Sequence, residues 1–160
     1  MKLRIICALL LFVTFTNHSY SAASSSGATE SYYDRAAKLI SSAKKYESKG
    51  KDKKAKKRYE KALKFLVKSN KEKPNQADTL NYLGFATRKL GNYEKGEEYY
   101  LLGLKIDPNH KGINEYLGEL YVVTNRMDLA KERLNVLKNC NCEEYNELKE
   151  IIEGKKQSKY

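Results

Sequence analysis

Two cysteines flank a single residue in Cys140-Asn141-Cys142, and they are the sharpest chemical feature of this 160-residue chain. In an exported protein such thiols oxidise to a disulfide. A ring closed across one intervening residue is tight, and strained, accessible bridges exchange readily. Capture of a soft ion such as Cu(I) is a second chemistry open to the pair. Packing of one thiol beneath the following helix is the structural alternative. No further ligands stand near them in sequence, so neither a metal nor a cofactor is assigned. Other reactive groups are sparse. The chain has two His, three Cys and no Trp, which makes His-based metal sites, zinc ribbons, Ser-His-Asp triads and long disulfide frameworks poor candidates. His110 follows Pro108-Asn109 in a turn and reads as a solvated surface residue. Glu97-Glu98 and Glu143-Glu144 lie among lysines and read as surface charge rather than as an acid/base pair. HExxH, GxSxG, P-loop and GxGxxG patterns are absent from the sequence. The reading is therefore non-enzymatic.

Charge offers a second kind of chemistry. The chain carries 31 Lys+Arg against 20 Asp+Glu, a net +11. Residues 49–73 hold twelve Lys/Arg and three Asp/Glu, a surplus of nine. Lys53, Lys54, Lys56, Lys57, Arg58, Lys61, Lys64 and Lys68 surround an apolar stripe on three sides. Such a helix attracts anionic lipid head groups, lipopolysaccharide, acidic peptides or nucleic acid; a solubilising face is the plain alternative. Nucleic acid is disfavoured, because no recognised binding module accompanies the charge and because of the leader described next.

Lys2 and Arg4 precede an uncharged, mostly apolar run from Ile5 to Phe15, then a polar stretch and Ser21-Ala22-Ala23. This is the layout of a secretory signal peptide over 1–23. The run is short for a membrane span, which needs about 20 apolar residues, although an uncleaved anchor is the alternative. Cys7 lies inside the apolar core, which argues against a lipid anchor. The expected destination is the bacterial periplasm, with secretion as the alternative. Residues 24–31 read as a flexible leader.

The elements that must position any site are set by an echo of 34 residues. Leu83-Gly84 recurs as Leu117-Gly118, Pro74 as Pro108, Gly96 as Ala130 and Tyr100 as Leu134. Gly in a helix interior costs about 1 kcal/mol against Ala. Its repetition therefore marks places where a neighbouring helix comes very close. The segment 77–108, ADTLNYLGFATRKLGNYEKGEEYYLLGLKIDP, resembles the tetratricopeptide repeat through Leu80, Leu83, Gly84, Gly96, Tyr100 and Pro108. Thr87 and Gly103 depart from the usual Tyr and Ala. A following unit keeps Leu117, Gly118, Tyr121, Ala130, Leu134 and Leu137, with Cys142 in place of the closing Pro.

An earlier unit is stretched. Leu39, Ala43, Tyr46 and Gly50 mark its first helix; Ala55, Tyr59, Ala62, Leu66 and Asn70 mark its second. Its closing Pro74 comes seven residues late, about two helical turns, which predicts a lengthened second helix. Tyr145, Leu148, Ile151 and Ile152 mark a last amphipathic helix over 143–153, fit to cap a bare apolar face. The expected fold is all-α: an α-solenoid of three helix-turn-helix units (32–76, 77–110, 111–142), that capping helix, and a frayed tail over 154–160.

In the family it resembles, the first helix of each pair lines a concave face that docks partners. Carried over to this chain, the resemblance implies groove positions at Lys44, Asn81, Phe85, Arg88, Lys89, Glu115, Glu119 and Val122, with Tyr82 and Tyr116 at its edge or between helices; packing between repeats is the plain alternative for Phe85 and Tyr82. Aromatic area beside Asn, Arg and Glu suits an extended peptide. One branch of the family clamps C-terminal carboxylates with Lys, Asn and Arg. The matching positions here hold Ile40, Lys44, Tyr82, Gly112 and Tyr116, a single base, so no such clamp is expected. The leading expectation is an exported scaffold or adaptor for a protein or peptide. An anionic-surface binder and a thiol-active accessory protein stand as alternatives, and the oligomeric state is open.

Overall fold

In the computed structural model, which describes residues 30–158, the chain is helical throughout its ordered elements, and no strand occurs among the described residues. The leader expected over 1–23, and residues 24–29 of the linker, lie outside them. Seven helices follow in order: α1 (Tyr32–Glu47), α2 (Asp52–Glu72), α3 (Ala77–Lys89), α4 (Tyr93–Ile106), α5 (Lys111–Val123), α6 (Met127–Leu137) and α7 (Glu143–Ile152).

Local chemistry starts and stops them. Ser31 caps α1 through its hydroxyl, which accepts from Asp34 N at 3.1 Å. Asn92 caps α4 through Oδ1, which accepts from Lys95 N at 3.0 Å. His110 caps α5: its Nδ1 accepts from Ile113 N at 3.2 Å, and its Nε2 lies 3.1 Å from Asp78. The expected solvated histidine is thus a structural cap, placed where the turn leaves an orphan amide. Each hairpin reverses through a left-handed residue, Gly50 (φ 63°), Gly91 (φ 93°) or Asn125 (φ 58°), the conformation that Gly and Asn adopt at least cost. Gly50 therefore belongs to the turn and not, as the apolar spacing implied, to the first helix.

α1/α2, α3/α4 and α5/α6 are antiparallel pairs, and α7 lies against α5 and α6. α2 is 21 residues long and α4 is 14, so the seven extra residues lengthen the helix. Its buried stripe is Ala55, Tyr59, Ala62, Leu66 and Ser69. It ends on Ser69 rather than Asn70 because the phase closes with a step of three. The repeated glycines mark contacts closer than a side chain allows. A Cβ on Gly84 would stand 2.5 Å from the Tyr100 ring, and one on Gly118 would stand 2.5 Å from Leu148. Apolar burial forms two clusters. One joins α1 to α3 around Ile40, Tyr59, Leu66, Leu83 and Phe85; the other joins α4 to α6 around Tyr100, Ile113, Leu117 and Leu120. Among the described residues no helix is long and apolar enough to cross a membrane.

The tail departs from expectation. Gly154 takes φ 72°, and the backbone amides of Lys155 and Lys156 donate to Glu150 O at 2.9 and 3.2 Å. The segment up to Ser158 turns back over α7 instead of fraying, because the α7 carbonyls find donors there.

Candidate functional site

α1, α3, α5 and α7 wall one cavity of about 730 Å³, open along the concave side. Its floor is aromatic. Phe85 and Tyr116 rings lie 4.9 Å apart. Lys44 reaches across from α1: its Nζ is 4.6 Å from the Phe85 centroid and donates to Tyr116 Oη at 3.0 Å. That bond ties the first unit to the third, 72 residues away in sequence. Lys89 and Glu47 pair at 2.7 Å on the same wall. Tyr59 Oη donates to Glu47 at 2.8 Å from below.

Six of the sequence-predicted groove residues line this cavity: Lys44, Phe85, Lys89, Glu115, Tyr116 and Glu119. Their placement needs some correction. Phe85 is 1% exposed and presents only the ring that floors the cavity. Arg88, also 1% exposed, lies beneath that floor. Its guanidinium donates to Glu119 at 3.0 Å and to the Tyr116 carbonyl, so it cannot offer its charge to a ligand as expected. Asn81 is buried between repeats, facing Gly112, where a Cβ would come within 2.9 Å of its amide. Tyr82 stacks on Tyr33, 5.5 Å away, and lines a shallower depression beside Ile40 and Lys44. Val122 is half-buried against the second apolar cluster.

The cavity also holds residues the sequence reading missed. Glu143, Glu144, Glu147 and Ile151 enter it from α7, Glu47 and Asp52 from the α1–α2 corner, and Lys156 and Gln157 from the folded-back tail. The signal was present: 144, 147 and 151 share one face of a helix. Taking α7 as a cap read Glu143 and Glu144 as surface charge and gave Ile151 to the packed apolar stripe alone.

Seven carboxylates and three lysines line the cavity. Burial pushes the Glu115 carboxyl up to about 8, and the neighbouring charges of Glu119, Glu144 and Glu147 add to this against the pull of Lys44. Glu119 is also raised, by burial first, with Arg88 opposing. Tyr116 is raised by burial.

The remaining predicted residues lie elsewhere. On α2, Lys53, Lys54, Lys57, Lys61, Lys64 and Lys68 are exposed and Arg58 is half-exposed. Lys54 and Arg58 sit over the Tyr46 ring, and Lys68 over Tyr32. Cys140 and Cys142 are joined by a disulfide in the α6–α7 connection, with Asn141 left-handed at φ 46° between them. Neither lines the cavity. Among the described residues no group of three His, Cys, Asp or Glu is placed to hold a metal ion.

Comparison with known proteins agrees with this geometry. The tetratricopeptide repeat family model matches residues 77–110, which are α3, α4 and the following turn. No curated protein matches the chain. Among solved structures, the Sgt2 TPR domain from Aspergillus fumigatus is similar with a TM-score of 0.55 at 20% identity, over 75% of this chain and 78% of that one. The first TPR of Spaghetti (RPAP3), bound to the HSP90 peptide SRMEEVD, gives 0.53 at 20% identity, over 76% and 94%. The type III secretion translocator chaperone SycD of Yersinia enterocolitica gives 0.53 at 18% identity, over 74% and 81%. The fold is that of a tetratricopeptide helical repeat.

Proposed function

We propose that this chain is a non-enzymatic scaffold that docks an extended protein or peptide segment along the concave face of α1, α3, α5 and α7. The observation that carries the reading is the convergence of Lys44, Phe85, Glu115 and Tyr116 from three different helices on one open cavity. Rigid helices hold an aromatic floor and charged walls in place before a ligand arrives, which lowers the cost of association. The peptide-bound structure of the Spaghetti TPR domain supports the use of this fold for a peptide ligand. A photo-crosslinking residue at Glu115 or Lys44 tests it in the producing cells, with Lys105 on α4 as the control. Adducts that form from 115 and 44 and not from 105 support the groove. Adducts from 105 alone remove it.

We place the scaffold outside the cytoplasm, after loss of 1–23. The leader pattern supports this, and a Cys140–Cys142 bridge suits an oxidising compartment. The N-terminal residue of protein recovered from cell fractions tests it; an intact Met1 in the cytosol contradicts it. A second reading, adhesion to anionic surfaces, draws on the exposed lysines of α2. It requires sedimentation with anionic vesicles that fades as salt rises.

A further inference from the structure

We propose that the segment docked in this groove is cationic, and that the chain's own C-terminal turn, Gly154–Ser158, holds its place until it arrives. The inference rests on the groove reading above and adds the chemistry of the partner and a built-in competitor.

Two independent observations meet here. The first is charge. A chain of net +11 lines its concave cavity with seven carboxylates and three lysines. One of those lysines, Lys89, already pairs with Glu47, and another, Lys156, comes from the tail itself. The sign of the cavity is thus opposite to that of the molecule, and an anionic ligand would meet Glu143, Glu144 and Glu147. Burial among these groups pushes the Glu115 carboxyl up to about 8; a bound cation reverses that cost and draws off the proton.

The second observation is an occupant. After the left-handed turn at Gly154, Lys156 Nζ donates to the Glu147 carboxylate and Ser158 Oγ donates to Glu119 Oε2 at 3.1 Å. Gln157 faces the same cavity. An ammonium and a hydroxyl on a non-helical segment are what a lysine-bearing peptide would present. The sequence closes on Gly-Lys-Lys-Gln-Ser-Lys-Tyr, which carries three lysines. The tail reaches the cavity carboxylates through two side chains, besides its backbone bonds to Glu150 O, so a longer cationic segment making the same side-chain contacts and also covering the Phe85–Tyr116 floor displaces it. Occupancy by the tail lowers the apparent affinity for that partner in proportion to the fraction closed.

The test uses the intact chain, a variant ending at Gly154, and a full-length Lys156→Glu/Ser158→Ala variant, with circular dichroism showing that all three melt cooperatively. The probe is fluorescein-labelled GKKQSKY, read by anisotropy at low salt, with GEEQSEY and SRMEEVD as acidic counterparts. The expected result is binding of GKKQSKY to both released variants, about ten-fold weaker binding to the intact chain, and loss on Glu144→Lys in the shortened chain. Equal affinity for intact and released chains overturns the competitor. Preference for an acidic peptide overturns the cationic assignment and leaves the groove standing. No binding of any peptide overturns the inference, whereas the groove itself fails only if cross-links form outside it.

Discussion

Arg88 and Glu119 form the ion pair on which the floor of the groove rests. Their side chains are 0% and 6% exposed. Removing one partner from such a pair strands a charge in a low-dielectric site. Arg88→Ala is therefore expected to destabilise by about 3–5 kcal/mol, while Arg88→Met with Glu119→Leu costs much less; urea midpoints of the three proteins check this. Glu115 makes a second prediction at this scale. Burial first, and then its acidic neighbours, push its folded carboxyl from the ordinary 4.5 up to about 8. Between those values the native state holds a proton that the unfolded state has released, so stability falls as pH rises through the window. Glu115→Gln should flatten the Tm-against-pH curve there; an unchanged slope contradicts the assignment. The sequence placed Glu115 and Glu119 in the groove lining but put Arg88 on the wrong side of the surface. Arginine is mostly exposed, and Arg88 looked free because its partner stands 31 residues away. That spacing is the 34-residue repeat less one helical step, so an opposite charge at 119 was the available clue.

Helices were legible wherever a period or a turn residue marked them. Gly91 and Asn125 are 34 residues apart, and Gly50 and Gly91 are 41; the difference is the insertion that α2 absorbs as helix. The close contacts were legible too, as glycines where a helix would prefer Ala. Gly84→Ala drives a methyl against the fully buried Tyr100 ring. Overpacking of about 1–3 kcal/mol outweighs the helix-propensity gain of about 1 kcal/mol, so thermal melting should shift downward. Gly103→Ala meets the terminal methyl of Ile113 first. That methyl is the far end of a flexible side chain rather than a ring, so the shift should be smaller; equal losses at the two positions contradict this account of the repeat. The tail was not legible, because hydrogen bonds to the end of a helix leave no periodic trace in so short a segment.

At the scale of the whole molecule, charge is sorted by face. The surplus of nine over 49–73 covers α2, and carboxylates gather on the concave side. Net charge read from the sequence pointed to anionic partners, and only the fold reveals a second surface of opposite sign. α7 is the reason: its Glu144 and Glu147 face α5 because Leu148 must descend onto Gly118. A helix added to cover an apolar face thereby completes an acidic wall. The two faces make opposite demands, anionic surfaces for α2 and cationic segments for the groove, and salt weakens both.

The claim that docking occurs on the concave side is tested most directly by amide shift mapping. The 15N-labelled chain ending at Gly154 is titrated with GKKQSKY. The largest shifts should fall at Lys44, Phe85, Glu115, Tyr116 and Glu147, with the exposed strip of Leu101, Leu102 and Ile106 on α4 unmoved. Shifts centred on α2 or on that strip would contradict it.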